Sequence, residues 1–207
     1  MHQSSYKLME NFVKKYLKEY EGKKIDILDI GSKNVNGTYK LLFDDPSWNY
    51  YGSDIVPGNN VDIVLEEPYN WKNVESDLYD VVISGQAFEH IEYFWITILE
   101  IARVTKKGGI ICIIAPSKVA EHRHPVDCWR FYRDGFEALA KYSGLTLLEA
   151  YTVKNPNPIN DSVLICKKKS LDKEEEKLLN YKNKLSKLII NNEKLLQYQD
   201  YLENLEI

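Results

Sequence analysis

Ile27-Leu-Asp-Ile-Gly-Ser-Lys-Asn-Val-Asn-Gly37 is the stretch on which the fold turns. An apolar run that opens at Ile25 reaches an acid, Asp29, and then a glycine, Gly31. A short, uniformly apolar segment of this kind is a strand buried on both faces, as in a parallel sheet. Gly31 permits a tight turn into a helix, where backbone amides are free to meet a ligand. Asn49 to Ile55 reads as a second strand, and it too ends in an acid, Asp54, 23 residues after Gly31. That spacing suits a carboxylate that accepts the hydroxyls of a ribose beside a nucleotide-binding turn.

Working outward, the pattern alternates. Tyr6 to Tyr20 carries apolar residues at helical spacing and stops at Gly22. Tyr39 to Phe43 reads as a short helix, Val61 to Leu65 as the third strand and Asp80 to Ser84 as the fourth. A long helix is expected over Phe88 to Val104, the fifth strand over Gly109 to Ala115, and a helix over Phe136 to Ser143. Leu145 to Val153 and Ser162 to Cys166 complete the set, separated by the turn-rich segment Asn155 to Pro158. Their linker is too short for a parallel crossover, so these two pair antiparallel. The expected fold class is α/β: a Rossmann-like, mostly parallel seven-stranded sheet with helices on both faces.

After Lys169 the composition changes. Leu171 to Ile207 contains no glycine or proline. Leu171, Leu178, Leu185, Asn192 and Gln199 share one heptad position, and Tyr181, Leu188, Leu195 and Leu202 share the other, with Glu174 a misfit. This is a coiled-coil seam, and Asn192 at the first position favours a parallel pair. The expected domains are therefore 1–169 and a C-terminal coiled-coil helix, 170–207, that makes a homodimer through Leu171 to Ile207.

A net charge of −4 argues against a nucleic-acid partner, whose phosphates need a basic face. No apolar run approaches a membrane span, and Met1 to Glu21 is charged rather than signal-like, so a cytoplasmic protein is expected. Cys112 and Cys166 sit in apolar runs and read as reduced core residues.

Two further segments bear on chemistry. Asp80-Val-Val-Ile-Ser-Gly-Gln-Ala-Phe-Glu-His-Ile91 brings the fourth strand to the sheet edge where α/β folds bind ligands. Val104-Thr-Lys-Lys-Gly-Gly-Ile110 is a helix stop leading into the fifth strand. Over Ile25 to Lys168 this ordered set resembles the class I S-adenosylmethionine-dependent methyltransferases, in particular their type-11 group. The resemblance implies S-adenosylmethionine as cofactor. It implies that Asp29 and Gly31 cradle its methionine part, that Asp54 with Ile55 holds the ribose, and that Val64, Leu65 and Glu66 lie near adenine. It places Ser84, Gly85 and Gln86 on the sulfonium side. The family's first loop is denser in glycine than this one, so Ser32 or Asn34 stands in as a hydrogen-bonding group.

Glu121-His-Arg-His-Pro-Val-Asp-Cys-Trp-Arg-Phe-Tyr132 follows the fifth strand at the same edge. His122, His124 or His90 is expected as the base that takes a proton from an acceptor hydroxyl, with Glu89 and Asp127 as further candidates. Arg123 and Arg130 suit an anionic acceptor, and Asp127, Trp129 and Tyr132 complete the expected acceptor site. No metal is expected, because neighbouring side chains such as Glu121, His122, His124 and Asp127 seldom converge from an extended loop. This run also resembles methyltransferases of bacterial surface-polysaccharide synthesis. By that likeness the small-molecule acceptor is a capsule or glycan precursor: a sugar nucleotide, a glycan hydroxyl or a phosphoramidate. The competing readings are a nicotinamide-dependent reductase, disfavoured by the missing G-x-G-x-x-G, and a non-catalytic interaction protein built on a degenerate methyltransferase domain.

Overall fold

The computed structural model describes residues 2–154, 156 and 158–190. The chain divides into two units, Met1–Ser170 and Leu171–Ile207. In the first, helix α1 (Gln3–Phe12) runs on through a π turn, Val13–Leu17, and a 3-10 turn, Lys18–Tyr20. The strands are β1 (Ile25–Ile30), β2 (Trp48–Asp54), β3 (Ile63–Val64), β4 (Tyr79–Gly85), β5 (Thr105–Lys118), β6 (Thr146–Thr152) and β7 (Asn160–Lys167). Helix α2 (Phe94–Val104) precedes β5 and helix α3 (Arg133–Tyr142) follows it. The second unit is described over helix α4 (Lys173–Ile190). The heptad positions Asn192, Leu195, Gln199 and Leu202 lie outside the described residues, as do Asn155 and Asn157 of the turn-rich segment. No described helix is long and apolar enough to cross a membrane.

The strands form one sheet in the order β3-β2-β1-β4-β5-β7-β6. The expectation of a mostly parallel sheet gives way to a mixed one. The pairings from β3 across to β5 are parallel, but β7 inserts antiparallel between β5 and β6. The cause is the short β6–β7 connection: it allows a hairpin, and the hairpin docks by its second strand.

Alternation within the central strands explains why they read as continuous apolar runs. Leu28, Ile30, Val82, Ile111 and Ile113 point to one face and pack with Ile98 and Ile101 of α2 and Phe136 and Leu139 of α3. Ile27, Val81, Ile83, Cys112 and Ile114 point to the other, against Met9 and Phe12 of α1 and Leu17 of the π turn. Cys112 and Cys166 are free thiols buried in this sheet.

Two expected helices change form. Gly31 is not followed by an α-helix. The chain runs through a loop to a single 3-10 turn, Lys40–Leu42, in place of the helix read over Tyr39 to Phe43. Asn34, Asn36 and Gly37 are poor helix formers, and Gly37 adopts φ 135°. The loop's amides are spent on the end of β2: Gly31 and Ser32 donate to the Ser53 carbonyl, and Lys33 donates to the Asp54 carboxylate. The helix expected over Phe88 to Val104 is also broken. Phe88–His90 forms a 3-10 turn, and α2 starts only at Phe94.

Chain order reverses between β1 and β4, because β2 and β3 lie to one side and β5 to the other. The carboxyl ends of β1 and β4 therefore flank the crevice where open α/β sheets hold ligands. The two turns meet closely there: a Cβ on Gly31, which has φ +76°, would lie 2.5 Å from the Ala87 Cβ.

Candidate active site

A cavity of about 640 Å³ opens at this crevice. Its first wall comes from the ends of β1 and β2 and their loops: Asp29, Gly31, Ser32, Asp54 and Ile55. Leu65 lies beyond β3, and Gly85 and Gln86 lie at the end of β4. Eight of the twelve residues named for the cofactor thus share one wall, and Asn34 and Val64 do not line it. Ser84 does not reach it: its hydroxyl is buried between strands and donates to the Ile30 carbonyl at 3.0 Å. Glu66 is exposed outside the cavity lining.

The acids on this wall differ. Asp29 is buried and accepts a short hydrogen bond from the Tyr50 hydroxyl. Burial pushes its carboxyl up to about 7; the Tyr50 bond lowers it and the neighbouring Asp54 charge raises it. Asp54 is more open. Its Oδ2 accepts the Lys33 amide at 3.2 Å and its Oδ1 accepts the Val56 amide at 3.0 Å, which fixes the carboxylate and leaves lone pairs for a diol. Gln86 has a left-handed backbone, φ 60°. Its amide nitrogen donates to Asp161 at 3.0 Å, while its Oε1 is buried without a donor among the described residues. Tyr39, read from sequence only as part of a helix, lies over Gly85, where a Cβ would meet its ring at 2.3–2.6 Å.

The opposite wall is histidine-rich. Glu89 and His90 come from the turn after β4, and His122, Arg123, His124 and Pro125 come from the loop after β5. The rings of His90 and His122 are 5.0 Å apart, and His124 lies 5.9 and 6.2 Å from them. All three histidines expected as bases therefore gather at one place, beside Glu89. The Glu89 side chain is buried, and neither carboxylate oxygen has a hydrogen-bond donor among the described residues. Burial pushes its carboxyl up to about 8. Burial also lowers the His90 imidazole below its ordinary value.

Most of the expected acceptor site is scaffold. Asp127 accepts the His122 amide at 2.8 Å and forms a two-pronged ion pair with Arg130, at 2.6 and 2.8 Å, which holds its carboxyl well below the usual range. These two residues brace the loop and do not line the cavity. Trp129 packs on Phe94 and Trp95 and donates its indole N–H to the Glu92 carbonyl. Tyr132 caps the start of α3 and is 61% exposed. Phe131 belongs to the core with Phe88 and Phe136. Of the expected acceptor residues, only Arg123 reaches the cavity.

Solved structures share this fold at low identity. The 1,6-didemethyltoxoflavin N1-methyltransferase of Burkholderia thailandensis, whose structure holds its substrate and S-adenosylhomocysteine, superposes with a TM-score of 0.62 at 13% identity, over 81% of this chain and 80% of that one. YcgJ of Bacillus subtilis gives 0.61 at 14% identity over 82% and 100%. The cyclase SpnF gives 0.63 at 12% over 82% of each, so the same architecture also carries chemistry of another name. No curated protein sequence matches the chain. Residues 28–113, from β1 to the middle of β5, match the family model Methyltransf_11, a methyltransferase domain, and the chain carries a methyltransferase-type α/β fold around its cavity.

Proposed function

We propose that this protein transfers a methyl group from S-adenosylmethionine to a small polar acceptor. One observation carries the reading. A single cavity joins the ends of β1, β2 and β4, with Asp29, Asp54 and Gln86, to a wall of three histidines. The residues suit the cofactor chemically: two acids on the cavity wall, Asp29 and Asp54, match a ligand that carries cationic groups and a ribose diol. When bound, the cofactor supplies an electrophilic methyl on a sulfonium. Asp54 holds the ribose hydroxyls. The protein's contribution is alignment and exclusion of water, as an in-line displacement requires.

For a hydroxyl acceptor, a histidine takes the proton. His90 Nδ1 meets the Val126 carbonyl at 2.6 Å, and a carbonyl can only accept, so Nδ1 carries the hydrogen and Nε2 is left basic. His122 repeats the arrangement against the Ala120 carbonyl at 3.1 Å. Arg123 gives the wall a cation for an anionic acceptor. The chemistry supports a hydroxyl on a charged or sugar-like molecule. Within that class, a precursor of a bacterial capsule or other surface glycan is our narrower proposal, resting on the resemblance of Glu121 to Tyr132. We also assign Leu171 to Ile207 to self-pairing, since the seam residues Leu178, Tyr181 and Leu185 of α4 are exposed.

Calorimetric titration with S-adenosylhomocysteine tests the core of this reading. Micromolar binding is expected. A second reading, an interaction protein on a degenerate domain, draws support from the first loop, whose amides are already bonded to β2. Absence of binding at millimolar ligand, with the oligomer intact, would replace the first reading by the second.

A further inference from the structure

We propose that Glu89, His90 and His122 form a binding site for a divalent first-row transition metal ion on the cavity wall. Their donor atoms, one carboxylate oxygen and two imidazole nitrogens, all lie within 4.8 Å of one another. Glu89 Oε1 stands 3.6 Å from His90 Nε2 and 3.8 Å from His122 Nε2.

The hydrogen-bond accounting favours a cation there. The backbone carbonyls of Val126 and Ala120 take the Nδ1 hydrogens of the two imidazoles, so both Nε2 atoms present lone pairs to the cluster. Glu89 adds two oxygens that receive no hydrogen bond and lie fully out of solvent. Acceptors converge, and no donor among the described residues sits between them. A proton on Glu89 does not resolve this, because one proton can serve only one of the two Nε2 atoms. A metal ion does: bonds of about 2.1 Å in tetrahedral geometry set donor atoms about 3.4 Å apart. The two carboxylate–imidazole separations, 3.6 and 3.8 Å, lie close to that value, and the remaining pair of donor atoms lies within 4.8 Å.

The surroundings fit a ligand set as well. Imidazoles that bind metals usually give their other N–H to a carbonyl or carboxylate, which fixes tautomer and orientation. His90 does so through Val126. His122 does so through Ala120, with Asp127 Oδ2 also 3.5 Å from its Nδ1. Arg130 in turn holds Asp127, which gives the brace of this loop a purpose. Two nitrogens and one oxygen select zinc, iron, cobalt or manganese over calcium or magnesium. With the ion bound, His90 and His122 act as its ligands in place of the base role proposed above, because their Nε2 lone pairs are then spent on the metal. Three protein ligands leave a position open toward the cavity, and there the ion can hold and acidify an acceptor hydroxyl. That last role rests on the methyl-transfer reading; the site itself does not.

The test uses the full chain, stripped with EDTA and titrated with cobalt(II) while its visible absorption bands are followed, and with zinc(II) by calorimetry. One equivalent per chain is expected, with the bands of a low-coordinate nitrogen and oxygen site. Glu89→Gln and His122→Ala should each weaken binding at least 100-fold, whereas His124→Ala leaves it unchanged. S-adenosylhomocysteine titration of the same samples reports folding and separates the two hypotheses. Loss of metal binding with S-adenosylhomocysteine binding retained confirms the ligand roles. Metal binding without S-adenosylhomocysteine binding upholds the site and removes methyl transfer. No stoichiometric cobalt uptake by folded wild-type protein, or equal affinity in both ligand variants, overturns the proposal.

Discussion

Asp29→Asn should make the protein more stable as the pH rises, relative to wild type. Asp29 is buried at the end of β1, and its carboxyl is raised from 3.8 to about 7. A raised folded-state value means that the native protein keeps a proton which the unfolded chain has released. The contribution of Asp29 is therefore full below 3.8 and lost as the pH climbs through about 7. At about 1.36 kcal/mol per pH unit, that interval corresponds to about 4 kcal/mol in all, and about 2 kcal/mol of it falls between about pH 5 and about pH 7. Asparagine keeps an oxygen to accept the Tyr50 hydroxyl but does not ionise, so the variant lacks this slope. Urea unfolding of both proteins across this range reads the difference directly. The gap in unfolding free energy should widen by about 2 kcal/mol and then level off above about pH 8, equivalent to roughly 4–8 °C in Tm for a domain of this size. Any fixed cost of the substitution moves both ends equally and cancels. Parallel pH profiles would refute the reasoning, because they would mean that Asp29 is solvated or charged in the native state.

Asp54→Ala should weaken S-adenosylhomocysteine binding at least tenfold, and an unchanged calorimetric Kd would remove Asp54 from the ribose role. Gly31→Ala forces a side chain into a left-handed backbone at 2.5 Å from Ala87 Cβ; it should cost at least about 1 kcal/mol in urea unfolding and separate the β1 and β4 turns, lowering ligand affinity as well. Ile83 is fully buried in β4, and Ile83→Ala should cost about 2–5 kcal/mol by the same assay. Deleting 171–207 should convert a dimer to monomers in light scattering, and a dimer that survives would move the interface to the α/β unit.

The sheet was legible because burial on both faces leaves its mark on each strand. Ile25 to Ile30 and Ile110 to Ala115 cannot lie half in water, and they do not. What failed was local and short. Tyr39 to Phe43 has one turn's worth of apolar spacing, which fits a 3-10 turn as well as an α-helix, and the asparagines before it do not favour either. Phe88 and Phe94 both reach the core, so the apolar pattern runs unbroken through the kink at Ile91 to Tyr93. The aromatics of the last loop misled for a related reason. Trp129 was expected to face an acceptor, but an aromatic beyond a strand can turn to the ligand or to the protein. The choice depends on what the neighbouring strand puts beneath it, here Phe88 and Phe94.

The histidine wall shows where a sequence falls short and what information would have completed it. His90 and His122 are far apart in the chain, and neither has a local pattern that points to the other. They meet because β4 and β5 pair in parallel, with Gly85 opposite Ile114, so the segments leaving both strands emerge at one edge. The strand order was inferable; the fold-back of the loop was not. β5 continues to Lys118, and the chain returns with the Phe131 amide on the Pro116 carbonyl and the amides of Cys128 and Trp129 on the Glu89 carbonyl. Those backbone bonds lay the loop over the Glu89 turn and bring His122 to the carboxylate. The histidine cluster is thus set by main-chain hydrogen bonds, which leave no trace in residue type, together with the Asp127–Arg130 brace. Ligand spacing along the loop itself, among Glu121, His122, His124 and Asp127, says nothing of Glu89, which lies on the turn after the neighbouring strand with its Oε1 3.8 Å from His122 Nε2.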